Sequence, residues 1–154
     1  MLAVFERFVP RNQRVEHQFV LWLGGKDTLT FSEDGFQDIK GRLGAELTES
    51  VARTLQPKIL AALQRGESYV FPGWGNAHFT EFRPEGVGGA DGMIPWAELA
   101  GVDVQDGNIV IQGRQSLVRS WTDTGNATLL VAMLRTVVAN RQALSAPPTS
   151  NAGQ

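Results

Sequence analysis

The stretch IPWAELAGVDVQDGNIVIQGRQSLVRSW, residues 94–121, decides the fold that we expect for this chain. At its centre the pair Asp106-Gly107 stands between two runs in which apolar and polar residues alternate. An Asp-Gly pair in this setting is a strong signal of a two-residue β-hairpin turn, because both turn positions need a positive φ. The stretch therefore predicts an antiparallel hairpin with one buried face.

Pairing about this turn places four apolar residues on one face of the hairpin. They are Val102 and Val104 on the first strand, opposite Ile111 and Ile109 on the second. Asp103 falls on the other face, which we expect to be polar or exposed. The following helix has an aliphatic stripe from Leu130 to Leu144 that is suited to cover the apolar face. Asn126 and Thr124 are both candidates for the N-cap of this helix.

The composition is that of an ordinary globular protein without strong charge bias. Among 154 residues, 14 Lys and Arg stand against 16 Asp and Glu, a net charge of -2. The chain as a whole therefore has no electrostatic attraction to nucleic acid or anionic lipid. The absence of cysteine excludes disulfides, thiolate nucleophiles and cysteine-bound metals. Residues 1–9 lack the order of a signal peptide, and we expect a soluble, cytoplasmic protein.

Three strands and a helix are predicted for the first part of the chain. The strands are expected at Leu2–Val9, Val15–Leu23 and Thr28–Phe31. Pro10 is expected to end the first strand, because proline removes a backbone donor. Apolar residues recurring from Leu43 to Leu63 predict the helix, with a kink or break at Pro57. Gly66 is the expected left-handed cap residue.

The second part of the chain is richer in strands. Tyr69–Phe71 and Ala77–Phe82 are predicted strands, whereas the four glycines within Pro84–Gly92 indicate a flexible loop. The predicted fold class is α+β in two copies: three strands and a helix in residues 1–66, and about six strands and a helix in residues 67–144. Residues 145–154, dominated by small and turn-forming residues, are expected to be a disordered tail.

Several motifs carry a resemblance to a known kind of protein. They are GESYVF, HFTEF, PEGV, MIPWAELAGVDVQDGNIVI, RSW and NATLLVAMLRTVVANR. Together they resemble the second half of an uncharacterised family of bacterial pleckstrin-homology-like (PH-like) proteins, in which Trp96, Glu98 and Leu99 lead into the middle hairpin. The resemblance covers residues 43–141. It implies a curved antiparallel sheet or barrel with a C-terminal capping helix, no established activity and no cofactor.

The sequence does not support an enzyme or a metal site. His17 and His78 lie in separate predicted strands without partners at a ligand or catalytic spacing. A small hydrolase is the enzymatic alternative, and it would need His78 beside a carboxylate such as Glu81 or Asp91 in a pocket. We expect no catalytic residues and no metal.

The predicted function is protein binding by a PH-like scaffold module. Trp74, flanked by Gly73 and Gly75, is expected to be exposed at a turn, where a tryptophan can anchor an interface. Local packing of Trp74 over the end of a hairpin is the competing interpretation. Gly88 and Gly89, in the expected glycine loop, complete the candidate partner-binding surface.

Anionic lipid and a second protein chain are further candidate partners. PH-like domains can bind lipid headgroups through basic residues in early loops, and Arg11 and Arg14 occupy such a connection here. Nucleic-acid binding is not expected, because the tryptophans lack interleaved basic residues. The short first copy leaves a sheet edge to be covered either by the second copy or by another chain. If this edge is unprotected in the monomer, a homo-oligomer or a protein partner added as a strand is predicted.

Overall fold

The computed structural model describes residues 2–32 and 42–145. The described chain is α+β, as expected, with two α-helices and ten strands in three antiparallel sheets. The strands are β1 Ala3–Arg11, β2 Arg14–Gly24, β3 Asp27–Ser32, β4 Tyr69–Phe71, β5 Thr80–Arg83, β6 Gly86–Gly89, β7 Gly92–Pro95, β8 Gly101–Gln105, β9 Asn108–Gln112 and β10 Ser116–Ser120; the helices are α1 Arg42–Gln64 and α2 Ala127–Ser145. These described strands form no closed barrel. Neither helix in residues 42–145 has the length and apolar composition that a membrane span requires.

The N-terminal sheet has the order β1-β2-β3. The prediction that Pro10 ends the first strand is wrong, since β1 continues to Arg11 and Pro10 pairs with Val15. Proline is tolerated there because β1 lies at the edge of its sheet. At the opposite edge, β3 pairs with β2 alone among the described strands. None of the other described strands covers this edge, and what covers it stays a prediction.

Helix α1 runs without a break through Pro57, so of the predicted kink or break the break is wrong, and the kink stays a prediction. A proline inside a helix costs about 3 kcal/mol. Val51, Leu55 and Ile59 lie on both sides of it along the buried stripe, and burying each such side chain contributes about 1.5–3 kcal/mol. The packing of the helix therefore outweighs the cost of the proline.

The end of α1 follows the expected glycine-capped geometry. Gly66 has a φ of 77°. Its N–H donates to the Leu63 carbonyl at 3.0 Å, and the Glu67 N–H donates to the Ala62 carbonyl at 2.9 Å. This pair of hydrogen bonds is the Schellman motif, which satisfies carbonyls at the end of the helix.

The hairpin in residues 94–121 forms with the predicted register. Val104 pairs with Ile109 and Val102 pairs with Ile111. Both isoleucines are fully buried. Val104 is exposed instead, although it pairs with the fully buried Ile109.

The glycine-rich segment is not a loop, and this prediction is wrong. It forms β6 and β7, which pair with each other within a four-stranded sheet. A Cβ added at Gly86 would overlap the Ile94 carbonyl oxygen, and one added at Gly88 would overlap the Gly92 carbonyl oxygen. The glycines therefore allow two strands to approach closely, and they do not signal flexibility.

Buried residues from both predicted copies form one hydrophobic core. Its members include Val4 and Phe19 from the first sheet, Ile59 from α1, Phe71, Phe82 and Val87 from the second sheet, Ile109 and Ile111 from the hairpin, and Leu130 and Leu134 from α2. The stripe of α2 covers the hairpin as expected. The division at residue 66 stays a prediction, and the two parts of the chain share their core.

Asn126 immediately precedes α2, but its side chain does not cap this helix. Its Oδ1 accepts a hydrogen bond from the Val4 N–H at 2.8 Å, and its Nδ2 donates to the Leu2 carbonyl at 3.0 Å. The Asn126 N–H also donates to the Val4 carbonyl at 2.8 Å. A φ of 56° gives the residue this orientation, which asparagine adopts more readily than most residues. Asn126 therefore attaches β1 to the C-terminal part of the chain.

Replacing Asn126 with alanine should lower the free energy of unfolding by about 2–4 kcal/mol. The buried Val4 N–H would lose its acceptor, and alanine would be strained at a positive φ. Urea unfolding followed by circular dichroism measures the loss. Asn126→Gly removes the strain and isolates the hydrogen bonds, so it should cost about 1–3 kcal/mol. If both variants unfold like the wild type, Asn126 does not hold β1 as described.

Candidate functional site

The turn that follows β4 is fixed by backbone hydrogen bonds to the connection between β10 and α2. The Trp74 N–H donates to the Asp123 carbonyl at 2.8 Å, and the Gly125 N–H donates to the Pro72 carbonyl at 2.8 Å. A Cβ at Gly73 would overlap the Ala77 carbonyl oxygen, so the turn closes only with glycine there. The candidate binding turn is therefore rigidly attached to the rest of the protein.

Trp74 is both exposed, as predicted, and packed locally. Its exposed fraction is 37%. The ring meets Phe5 edge to face, with centroids 5.1 Å apart. The Arg7 guanidinium lies 4.6 Å from the indole centroid, within the range of a cation–π contact. The two interpretations of Trp74 are thus compatible, because the packing holds the indole in place while part of it faces solvent.

An open pocket of 420 Å³ lies beside this indole. We call it the aromatic pocket. It is lined by Phe5, Trp22, Pro72, Gly73, Trp74 and Gly75. Strand pairing sets Phe5 opposite Val20 and Ala3 opposite Trp22, so that Phe5 and Trp22 share the face of the N-terminal sheet that carries the pocket. Three of the predicted partner-binding residues therefore lie together in a pocket whose described lining residues carry no charge.

Charge beside the aromatic pocket is balanced locally. Arg7 Nη1 lies 2.7 Å from an Asp123 carboxylate oxygen and donates to the Thr122 carbonyl at 3.4 Å. The Arg7 and Asp123 side chains are only partly exposed, so the guanidinium is held over Trp74 and neutralised there.

Gly88 and Gly89 do not line the aromatic pocket. Both belong to β6, and Gly88 is buried. A Cβ at Gly89 would come within 2.6 Å of the Phe79 carbonyl oxygen. The structure thus separates these two glycines from Trp74, because they serve the close pairing of strands.

Arg11 and Arg14 pair with each other where β1 turns into β2, and their side chains lie outside what the structure describes. The turn between them is made by Asn12 and Gln13, both at positive φ. Near this tip, Phe8 is 52% exposed and Val15 is 66% exposed. We call residues 8–15 the hairpin tip, which combines exposed apolar residues with two arginine positions.

The carboxylates considered for catalysis are held by arginines. Glu81 lies 2.8 Å from Arg83. Asp91 receives two hydrogen bonds of 2.7 Å from Arg119, which is buried. His78 is exposed. Within residues 2–32 and 42–145, no group of three or more potential metal-binding side chains occurs.

His17 has a structural environment. Its Nε2 lies 2.7 Å from a Glu6 carboxylate oxygen, and the other Glu6 oxygen accepts a hydrogen bond from the Trp121 indole at 2.9 Å. Phe8 stacks on the imidazole with centroids 4.6 Å apart. These contacts join β1 and β2 to the residue that follows β10. His17 and Glu6 therefore have a structural role in holding the sheet to the rest of the protein.

The bidentate contact with Arg119 lowers the pKa of Asp91 below its ordinary value, and the hydrogen bond from the guanidinium is the main cause. Arg119 also donates to the Thr80 hydroxyl at 3.0 Å. The pair joins β10 to the β6–β7 turn and to β5. Because the pKa of Asp91 is lower in the folded than in the unfolded protein, the stabilisation of the fold by the Asp91–Arg119 pair is complete above the unfolded pKa of about 3.9. It is lost as the pH falls through the lower, folded value.

Asp91→Asn should therefore destabilise the protein at pH 7 by about 2–3 kcal/mol, since a buried guanidinium loses its counter-charge. The difference from wild type should shrink as the pH falls through the lowered pKa of Asp91. Urea unfolding at several pH values measures this. Asp103→Asn, on the face of the β8–β9 hairpin opposite Ile109 and Ile111, is the matched control and should change stability by less than about 0.5 kcal/mol. A pH-independent deficit in Asp91→Asn would contradict the assignment.

Three residues that line the aromatic pocket or contact its indole were not predicted to belong to it. They are Phe5, Arg7 and Trp22. All three come from strands more than 40 residues away from Trp74 in the sequence. A tryptophan near the end of a strand, as Trp22 is, was the one local signal that could have suggested an aromatic surface.

Comparisons with protein-family models, with curated proteins and with solved structures find no match to this chain. The resemblance of residues 43–141 to PH-like proteins accordingly rests on the sequence motifs and stays a prediction.

Proposed function

We propose that this protein is a non-enzymatic, PH-like binding module that engages a protein partner through the aromatic pocket. The observation that carries the proposal is the position of Trp74, which is exposed in an uncharged pocket while Phe5 and Arg7 fix its ring. The PH-like part of the proposal is supported by antiparallel strands followed by a helix whose buried stripe covers them.

Preorganisation favours this site as an interface. A flexible tryptophan loses conformational entropy on binding, whereas an indole already held by packing and by backbone hydrogen bonds loses little. Tryptophans in well-packed surroundings are frequent hot spots of protein interfaces. The aromatic pocket thus combines the residue type and the rigidity that efficient recognition requires.

Replacing Trp74 with alanine should weaken the partner complex at least about 30-fold, the equivalent of 2 kcal/mol at a hot spot. The partner is first identified by photo-crosslinking from position 75 in extracts of cells that produce the protein. It is then purified, and calorimetry measures its affinity for each variant.

Leu60→Ala, which truncates an exposed leucine on α1, is the matched control and should bind like the wild type. Circular dichroism verifies that both variants are folded. Equal affinity of folded Trp74→Ala and wild type would remove the aromatic pocket as the binding site.

A second candidate function is binding to anionic lipid through the hairpin tip. The specific observation in its favour is the exposure of Phe8 and Val15 beside the positions of Arg11 and Arg14. Pairing sets Phe8 opposite His17 and Pro10 opposite Val15, so Phe8 and Val15 share one face. Apolar residues that enter the interface and basic residues that meet anionic headgroups are the two components of peripheral membrane binding.

For this second candidate function, the protein should co-sediment with vesicles that contain phosphatidylserine, and added salt should release it from them. The double variant Arg11→Gln, Arg14→Gln should reduce binding about tenfold or more, at about 1 kcal/mol for each basic residue near the membrane surface. Arg53→Gln with Arg65→Gln, on and just after α1, is the charge-matched control. Absence of salt-sensitive sedimentation would exclude this function.

A further inference from the structure

We propose that the aromatic pocket takes a proline-containing segment of the partner in an extended, polyproline II conformation. This inference rests on the proposed function and specifies the chemistry of the ligand. It is carried by the size of the pocket, by its charge and by the hydrogen-bonding state of its indoles.

The size of the aromatic pocket favours a short segment over a folded surface. Six of the described residues line it, whereas a standard interface between folded proteins engages about 20–30 residues on each side. A second folded copy of this chain would need far more contact area than the pocket provides. A few residues of an extended peptide match it.

The charge of the aromatic pocket favours an uncharged ligand. None of the lining residues in the described part of the chain has a carboxylate that could neutralise a bound cation. Cation binding on aromatic rings needs a free ring face, and the Arg7 guanidinium already lies over Trp74. A methylated lysine would find that face of the indole already occupied, so we infer a neutral ligand whose rings pack on the indoles.

The hydrogen-bonding state of the indole N–H groups indicates a ligand that accepts a hydrogen bond. The protein has four tryptophans, and three of their indole N–H groups donate to protein acceptors. They are Trp22 to the Gly25 carbonyl, Trp96 to the Arg83 carbonyl and Trp121 to the Glu6 carboxylate. Trp74, which lies in the described part of the chain and is exposed, has no such bond there, so its N–H is available to a ligand.

A polyproline II segment has the complementary properties. Proline has a backbone carbonyl but no N–H, so a proline-rich segment accepts hydrogen bonds without presenting donors that need partners. Its carbonyls are not used internally, and its fixed φ lowers the entropy lost on docking. Proline rings also pack well in aromatic grooves. Trp74 would donate to one carbonyl while proline rings contact Trp22, Trp74 and Phe5.

The test uses a capped nonapeptide of three Ala-Pro-Pro repeats and a peptide in which every proline is replaced by alanine. Two-dimensional NMR of the whole chain labelled with ¹⁵N should show saturable shifts of the Trp74 indole N–H and of the Gly75 amide with the proline peptide. The alanine peptide should bind at least about tenfold more weakly, because it lacks the rings and the fixed conformation.

Two variants separate the contributions of ring and donor. Trp74→Phe keeps an aromatic ring but removes the N–H, and it should weaken the proline peptide several-fold. Gly75→Asn places a side chain at the pocket where an added Cβ meets no atom within 4 Å, at a positive φ that asparagine tolerates. It should reduce binding with the fold intact. Leu60→Ala should bind the peptide like the wild type.

Equal binding of the proline and alanine peptides, or no shift at the Trp74 indole, would overturn the inference. Binding of a trimethyllysine peptide at the same indole in place of the proline peptide would also overturn it. If the purified partner needs Trp74 while the proline peptide does not bind, only this inference fails. If neither partner nor peptide depends on Trp74, the proposed function fails with it.

Discussion

The attachment of β1 to Asn126 is the interaction on which the rest of the structure depends. Three hydrogen bonds join this residue to the backbone of Leu2 and Val4 across 122–124 positions of sequence. All the groups that bond to Asn126 here are backbone N–H and carbonyl groups. The attachment therefore depends on the backbone position of β1 and on Asn126 alone. Without it, the first sheet would be joined to the rest of the chain by apolar packing, which is much less directional, and by the partly exposed side-chain contacts of Arg7 with Asp123 and of Glu6 with Trp121.

The connection between β10 and α2 serves two purposes at once. Asn126 holds β1, while Asp123 and Gly125 hold the turn that carries Trp74. Asp123 also binds Arg7, which lies over the same indole. A single short segment thus fixes both walls of the aromatic pocket, which explains how residues from three distant parts of the chain form one surface.

Local sequence signals correctly predicted the structural features that are determined by residues close to one another in the sequence. The Asp106-Gly107 turn gave the register of its hairpin, and Gly66 gave the end of α1. Predictions failed where tertiary packing outweighed a local preference, as at Pro57, or where one residue type has two uses, as in the glycines of β6. The exposure of Trp74 followed from its flanking glycines. Its neighbours Phe5 and Trp22 did not, because only long-range strand placement brings them there.

The composition of the aromatic pocket has a thermodynamic consequence. Its walls come from the N-terminal sheet and from the turn after β4, so it exists only while the first sheet is docked on the shared core. Any ligand of the pocket therefore binds the docked state alone, and it stabilises that state by an amount that grows with the logarithm of its concentration. Ligand binding in the pocket and docking of the N-terminal sheet are therefore thermodynamically linked, so that each favours the other.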